Sequence, residues 1–178
     1  MLADSVRLAL PVEAAQIAAV QRRGWVQQLP AELAESMLAG VDLDAMTGSW
    51  HAAIVRPPLA QFRVLAAVAD DRVVAFAAIG PSADPDAEPG ADGVVAEFTV
   101  DPSAQRRGHG SRLLHACVDT LRADGFTRGT WWVRSTDDAL RDFLIAGGWA
   151  AAGSHQEVGT DNDLARVTLI RLHTDISA

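Results

Sequence analysis

The chain has 178 residues, of which 49% are hydrophobic, and its formal net charge is −8 at neutral pH. We expect residues 1–178 to form a single domain, and no apolar run approaches the ~20 residues of a membrane span. An acidic chain lacks the basic surface that nucleic acids and anionic membranes require, so neither is expected as a partner. A single cysteine, Cys117, excludes an internal disulfide and favours a cytoplasmic location, and residues 1–11 do not resemble a signal peptide.

The first third of the chain is predicted to contain one strand followed by helices. The strand is expected over Val6–Leu10, and the first helix over Glu13–Gln27, where apolar residues recur at helical spacing. Two shorter helices are predicted over Ala31–Leu38 and Leu43–Ile54, because glycine and proline punctuate the chain on either side of them.

A hairpin and a long loop are predicted next. Two runs rich in strand formers, Phe62–Ala69 and Arg72–Gly80, are separated by two aspartates, as in a tight β-turn. The following segment, Pro81–Gly93, contains proline, glycine and four acidic residues, so we expect a loop. A disordered connector is the default interpretation, and a flexible gate over a site is the alternative. The central strand is expected over Val94–Val100.

A glycine turn follows the central strand and leads into a helix. Gly108 and Gly110 permit a close turn, and the helix after it has one apolar stripe that includes Cys117, which we interpret as a core residue. The start of the helix presents free N–H groups and a positive dipole end, which favours phosphate binding. Arg106, Arg107 and Arg112 add positive charge there, although a solvated helix end is the alternative interpretation.

The next strand is predicted over Arg128–Arg134 and contains two adjacent tryptophans. Because side chains alternate across a strand, Trp131 and Trp132 are expected to face opposite sides of the sheet. A second helix is predicted from Asp137, with Thr136 as its N-cap.

The chain is predicted to end in two strands, Trp149–Gln156 and Ala165–Leu172, joined by Glu157–Leu164. The order of elements predicts an α/β (α+β) fold, with a mixed, mostly antiparallel sheet of about seven strands and helices on both faces.

Several common sites are excluded or disfavoured. The chain contains no lysine, so it has neither a Walker-type phosphate loop nor a lysine Schiff base. Leu113 occupies the place of the third glycine in a dinucleotide-binding fingerprint, which disfavours that fold. The five histidines lack the paired spacing of a metal-binding helix, so no metal site is expected.

Two motifs resemble the GNAT acyltransferase superfamily. Gln105–Gly110 (QRRGHG) fits the family signature Q/R-x-x-G-x-G/A, and Asp137–Trp149 (DDALRDFLIAGGW) is similar to the second family motif. In the second motif, Phe143, Gly148 and Trp149 match the family, whereas Asp137, Leu140 and Leu144 replace the usual Asn, Ala and Tyr. The Leu144 position matters most, because the family tyrosine protonates the departing CoA thiolate and this chain has no tyrosine.

The resemblance implies a fold in which the central strand and the next one splay apart to admit the pantetheine arm of acetyl-CoA. It implies cofactor-binding roles for Phe98, Thr99, Val100, Gln105, Arg106, Arg107, Gly108, His109, Gly110, Ser111, Asp137 and Phe143. The backbone N–H of Val100 is expected to polarise the thioester carbonyl. Glu97 is the candidate general base, because burial raises a carboxyl pKa toward a useful value. The alternative is that Glu97 faces solvent or pairs with an arginine.

The expected function is that of an N-acetyltransferase that moves acetyl from acetyl-CoA to a primary amine of a small molecule or peptide by direct attack. Without the family tyrosine, water or Ser135 would protonate the thiolate. The alternative function is a non-catalytic acyl-CoA-binding or sensor module that has lost its chemistry with the tyrosine. The resemblance also makes a homodimer plausible.

Overall fold

The computed structural model describes residues 4–160 and 165–178. Over these residues seven strands form one sheet in the order β1-β2-β3-β4-β5-β7-β6. The strands are β1 (Ser5–Leu8), β2 (Arg63–Ala69), β3 (Arg72–Pro81), β4 (Asp92–Val100), β5 (Arg128–Arg134), β6 (Ala150–Gly159) and β7 (Arg166–Asp175). The helices are α1 (Ala14–Gln28), α2 (Ala31–Gly40), α3 (Leu43–Val55), α4 (His109–Ala123) and α5 (Asp138–Ala146).

All neighbouring strands are antiparallel except β4 and β5, which run parallel. This arrangement confirms the predicted mixed, mostly antiparallel seven-stranded sheet. The hairpin between β2 and β3 is also confirmed: Asp70 and Asp71 have φ of 49° and 60°, as a two-residue turn with left-handed backbone requires. None of the helices in the described part of the chain has the length and apolar character needed to cross a bilayer.

Helices cover both faces of the sheet, as predicted. On one face, Ile17 and Val20 of α1 pack against Phe76 of β3. On the other face, α4 and α5 contribute to a larger core that includes Cys117 and Trp131. Burial raises the pKa of the Cys117 thiol to about 12, so the thiol stays protonated and the residue is confirmed as a core residue.

The two adjacent tryptophans lie on opposite faces, as predicted from strand geometry. Trp131 is buried in the core under α4 and α5, in edge contact with Trp149. The indole of Trp132 faces the other way, and its Nε1 donates a hydrogen bond to Asp84 at 3.1 Å. Arg171, opposite Trp132 on β7, places its guanidinium carbon 5.5 Å from the centre of the Trp132 ring.

The long loop before β4 is shorter and better anchored than predicted. β3 continues to Pro81 and β4 begins at Asp92, which leaves residues 82–91 as the connection. Arg171 donates two hydrogen bonds to Asp86, at 2.6 and 2.7 Å, and one to Asp84 at 3.2 Å. The default interpretation as a disordered connector is therefore wrong, because an arginine from a distant strand neutralises the acidic residues that suggested it.

Two boundary predictions near the C-terminus need correction. The N-cap of α5 is Asp137 rather than Thr136, since an Asp137 carboxylate oxygen accepts the N–H of Leu140. The closing strands are longer than predicted, because the ladder between them continues to the pair Gly159 and Arg166. The predicted link Glu157–Leu164 thus lies partly within β6, and its residues 161–164 lie outside the described residues.

Candidate functional site

A gap opens in the middle of the sheet between β4 and β5. The two strands pair only over their first halves, from Asp92 opposite Arg128 to Val95 opposite Trp131. Beyond Val95 the pairing stops, while β4 remains paired with β3 as far as Val100. Among the described residues no strand therefore pairs with this part of the β4 edge that faces β5, which confirms the expected splay.

A β-bulge in β4 lies at the start of this gap. Ala78 of β3 lies opposite Glu97, whereas the next residue, Ile79, lies opposite Val95, so Ala96 is an extra residue in the ladder. Bulges re-aim side chains and commonly occur beside active sites. Here the bulge directs Ala96 and Glu97 to the same face of the sheet, the face covered by α1 and α3.

Two N–H groups of β4 point into the gap. The N–H of Asp101 donates to the carbonyl of Val74 on β3 at 2.8 Å. Because hydrogen-bonding direction alternates along an antiparallel ladder, the N–H groups of Phe98 and Val100 point away from β3, toward the gap. The backbone N–H of Thr99 points toward β3 instead, so this N–H is not available for the predicted role in cofactor binding.

The glycine turn ends at the exposed start of α4. Gly108 is the N-cap, with φ of 84°, and no side chain from the described residues caps the helix. The N–H of Arg112 donates to the Gly108 carbonyl at 3.2 Å, so the N–H groups of His109, Gly110 and Ser111 precede the helical hydrogen-bond ladder. These three groups and the helix dipole are suited to bind an anion.

Three side chains of the turn are available to a ligand to different degrees. Arg106 and Arg107 are exposed, and within residues 4–160 and 165–178 neither makes a salt bridge or a side-chain hydrogen bond. Gln105 is engaged, because its Nε2 donates to Gln27 of α1 at 2.7 Å and to the Val100 carbonyl at 3.5 Å. Gln105 thus joins α1 to the end of β4, and the two arginines are the free cations beside the turn.

His109 and Arg112 face away from this surface. The His109 ring is buried at 2% exposure, and its Nδ1 lies 2.8 Å from Arg112, which also pairs with Asp4. A guanidinium can only donate, so Nδ1 accepts and the imidazole is neutral. Burial, followed by the charge of Arg112, lowers the pKa of His109. His109 therefore offers a ligand only its backbone N–H, and Arg112 does not add to the expected cluster.

The second family motif supplies an exposed aromatic ring and a buried leucine. The Asp137 carboxylate caps α5 and also pairs with Arg134 at 2.8 Å, so both its oxygens have structural partners. Phe143 is 37% exposed and remains accessible to a ligand. Leu144, at the family tyrosine position, is 0% exposed and packs in the core.

Glu97 is half-buried on the face covered by α1 and α3. Burial raises the pKa of its carboxyl group to about 7, although a hydrogen bond from Gln21 acts in the opposite direction. The Gln21 Oε1 accepts a hydrogen bond from Trp50 Nε1 at 2.8 Å, which fixes the orientation of the amide. No arginine pairs with Glu97 in the described part of the chain. A carboxylate with a pKa near neutrality is suited to accept a proton.

Sequence reasoning missed Gln21 and Trp50 as supports of the candidate base. Gln21 is only 8% exposed although it is polar, and Trp50 stacks edge-on against Phe76 at 5.1 Å. A polar residue at a buried position of an amphipathic helix was a usable signal for Gln21. Nothing in the sequence indicated that Trp50 would reach it from another helix.

Comparisons with known proteins agree with this geometry. A sequence model described as the acetyltransferase (GNAT) family matches residues 27–147. No curated protein matches the chain in sequence.

Many solved structures share the fold. A ribosomal-protein-alanine N-acetyltransferase from Brucella melitensis aligns with a TM-score of 0.76 and 19% identity, covering 96% of this chain and 99% of that one. A putative acetyltransferase from Salmonella typhimurium, solved with its cofactor acetyl-CoA, gives 0.74 and 18%, covering 99% and 96%. The ribosomal-protein-S18-alanine N-acetyltransferase from Escherichia coli gives 0.67 and 15%, also covering 99% and 96%. The family model spans more than half of the chain and includes the splay, the glycine turn and α5, and on this evidence the chain belongs to the GNAT acetyltransferase family.

Proposed function

We propose that the chain transfers an acetyl group from acetyl-CoA to a primary amine by direct attack, with Glu97 as the general base. GNAT acetyltransferases use acetyl-CoA, in agreement with the cofactor that the family resemblance implied. The observation that carries the proposal is the position of Glu97. It follows the bulge at the mouth of the gap between β4 and β5, and its pKa is raised to about 7.

The residues present fit this cofactor. The N–H groups of His109, Gly110 and Ser111 would hold its pyrophosphate at the bare start of α4, and Arg106 and Arg107 would add charge-assisted contacts. The gap leaves the N–H groups of Phe98 and Val100 free to pair with the amide groups of the pantetheine arm. When bound, acetyl-CoA supplies an acetyl carbon activated by its thioester.

Polarisation of the thioester carbonyl is assigned to the backbone N–H of Val100. An N–H that is already directed at a developing negative charge contributes about 3 kcal/mol to transition-state stability. The gap-facing direction of this N–H supports the assignment. Phe98 directs its N–H into the same gap and is the second candidate for the role.

Glu97 supplies the step that an amine acceptor requires. An alkylamine is mostly protonated at neutral pH, so its nitrogen becomes nucleophilic only after a proton passes to the Glu97 carboxylate. The neutral nitrogen then bonds to the acetyl carbon as the carbon–sulfur bond breaks, and the new amide nitrogen gives its second proton to water. The thiolate leaves with the electron pair, and water protonates it, since a thiol pKa of ~8.5 makes it an acceptable leaving group.

The test is an acetylation assay on a broad panel of primary amines, with wild type compared with Glu97→Gln. The variant is expected to lose about 10²–10⁴-fold in rate. Cofactor binding is checked separately by thermal stability. Acetyl-CoA at about 100 times its Kd adds roughly 2.7 kcal/mol, which raises Tm by about 5–10 °C in a domain of this size, and both proteins should show this shift. Acetyl-CoA binding without transfer to any amine would contradict the proposal.

A second candidate is a non-catalytic acyl-CoA-binding or sensor module. It is favoured by one observation: the tyrosine position of the family is occupied by Leu144, which is 0% exposed, and the chain has no tyrosine elsewhere. In that case wild type has no acetylation rate for Glu97→Gln to reduce.

The cytoplasmic location and the homodimer expected from the sequence are also kept as proposals.

A further inference from the structure

An apolar cavity of about 170 Å³ lies on the face of the sheet covered by α1 and α3. Its lining comes from α3, from the segment before β2 and from the middle strands, and includes Trp50, Ala53, Phe62, Ala78, Val94 and Ala96. The lining surface is almost entirely apolar. Nothing in the proposed transfer of acetyl to an amine uses this cavity.

The cavity adjoins the candidate base from three directions. Ala96 precedes Glu97 in the bulge and lines the cavity, and Ala78, also in the lining, is the residue opposite Glu97 on β3. The Trp50 ring forms a third part of the wall, and its Nε1 holds the Gln21 amide that bonds Glu97. An amine whose nitrogen lies at Glu97 would therefore direct its carbon chain toward the apolar cavity.

The charge around the cavity disfavours a second cationic group. Arg63 is the charged residue of the lining, and its guanidinium is bound to Asp124 by two hydrogen bonds of 2.7 Å. Among the described residues the lining contains no acidic side chain, and the acids Asp84 and Asp86 of the loop after β3 are held by Arg171. A second ammonium group would lose its water there without gaining a carboxylate, which is unfavourable.

The size of the cavity suits one ring or one branched alkyl group. A cavity of about 150 Å³ is large enough to hold benzene, and this one has a comparable volume of about 170 Å³. Phe62 forms an outer wall and is 37% exposed. Its ring lies on the backbone of Gly80, where an added Cβ would approach Phe62 Cδ1 to 2.5 Å. Phe62 thus forms one wall at the mouth of the cavity, which opens to solvent because Phe62 and Ala96 of its lining are both exposed.

We infer that the cavity binds the apolar group of the acceptor, so that the preferred substrates are primary monoamines carrying an aromatic ring or a branched alkyl group. This inference rests on the proposed function, because it places the amine nitrogen at Glu97. The cavity would favour such amines over polyamines and small polar amines, which have no apolar group to bury.

The test compares kcat/KM for four amines: 2-phenylethylamine and isoamylamine, which are apolar, and ethanolamine and spermidine, which are polar. Burial of the apolar group is expected to favour the first pair by at least about tenfold. Ala53→Leu, which adds volume inside the cavity, should reduce that ratio by about tenfold or more. Ala52→Leu on the same helix is the matched control, because Ala52 is exposed, and it should leave the ratio unchanged.

The outcomes separate this inference from the proposed function. Equal or higher kcat/KM for ethanolamine or spermidine overturns the inference and leaves acetyl transfer intact. If no amine is acetylated, the proposed function falls, and calorimetric binding of 2-phenylethylamine decides the inference. The inference is supported if Ala53→Leu weakens this binding and Ala52→Leu does not. Undetectable binding to wild type overturns it. If Ala53→Leu does not fold, Ala78→Val fills the cavity from β3 instead.

Discussion

Helix α1 lies so close to β4 that a Cβ added to Gly24 would fall 2.6 Å from Cγ2 of Thr99. Gln21 precedes Gly24 by one turn of the same helix, and Glu97 precedes Thr99 by two residues on the same face of the strand. The contact between Gly24 and Thr99 therefore sets the spacing at which Gln21 reaches Glu97. A glycine in the middle of a helix is explained here by the approach of the helix to the sheet.

Gly24→Ala is expected to lower the free energy of unfolding by about 1–3 kcal/mol, because the added methyl group displaces α1 from β4. Helix propensity alone predicts the opposite result, because alanine favours a helix over glycine by about 1 kcal/mol. A loss of stability would therefore identify the packing effect. Gly48→Ala in α3 is the matched control: its Cβ would meet nothing within 4 Å, and it should stabilise the protein. Denaturant unfolding of both variants measures the effect, and equal stabilisation by both would contradict the packing argument.

The rate of acetyl transfer should rise with pH through an apparent pKa near 7, because burial raises the pKa of Glu97 to about 7 and only the carboxylate accepts a proton. The measurement is kcat/KM for the amine, which reports groups in the free enzyme, the state to which this pKa belongs. Glu97→Gln should remove this ascending limb from what activity remains. An ascending limb that persists in the variant would assign the titration to another group.

Glu97 should also make stability depend on pH. Its pKa is raised from an ordinary value of 4.5 to about 7 on folding, so the folded state prefers the protonated carboxyl group. That preference contributes stability fully below the unfolded pKa and is lost as pH rises through the folded pKa. Glu97→Gln should therefore raise the free energy of unfolding at about pH 8 by an amount on the order of 1–3 kcal/mol, with little change at about pH 4. Urea unfolding at both pH values measures this, and an equal effect at both would contradict it.

Gly108→Ala should weaken CoA binding by at least about tenfold, because a left-handed backbone disfavours alanine and its Cβ would lie at the bare start of α4. Gly90→Ala is the matched control, since its φ of 79° is close to the 84° of Gly108 and neither Cβ would meet an atom within 4 Å. Both variants should lose about 1–2 kcal/mol of stability. Calorimetric titration with CoA separates them, and similar affinities would argue against the turn as the pyrophosphate site.

Arg171→Met should loosen residues 82–91, because Arg171 alone bonds both Asp84 and Asp86 among the described residues. Its side chain is 14% exposed, and its removal leaves the Asp86 carboxylate without its arginine partner and Asp84 with the hydrogen bond from Trp132. We expect faster proteolysis and hydrogen exchange within the loop. Arg166→Met, which removes a surface pair with Glu157 at 57% exposure of each side chain, is the control, and equal effects would contradict the assignment.

Local features of the chain were predictable because their causes lie within a few residues. Asp70 and Asp71 form the hairpin turn, and Gly108 adopts the left-handed backbone that ends the turn before α4. Alternation along β5 was enough to separate Trp131 from Trp132. The order of these elements predicted the sheet and its helices on both faces, and two short motifs predicted the family.

What the tertiary structure decided depends on contacts between distant parts of the chain. Arg171 meets Asp86, 85 residues away in sequence, so the acidic loop looked solvated from its sequence alone. Trp50 reaches Gln21 across 29 residues, and the bulge at Ala96 depends on how β3 pairs with β4. The length of the chain, the order of its elements and its two motifs were enough to predict the fold and the family. The environment of Glu97 and the apolar cavity beside it depend on how helices and strands pack against one another. Their residues are far apart in the sequence, so no local pattern predicts that they meet.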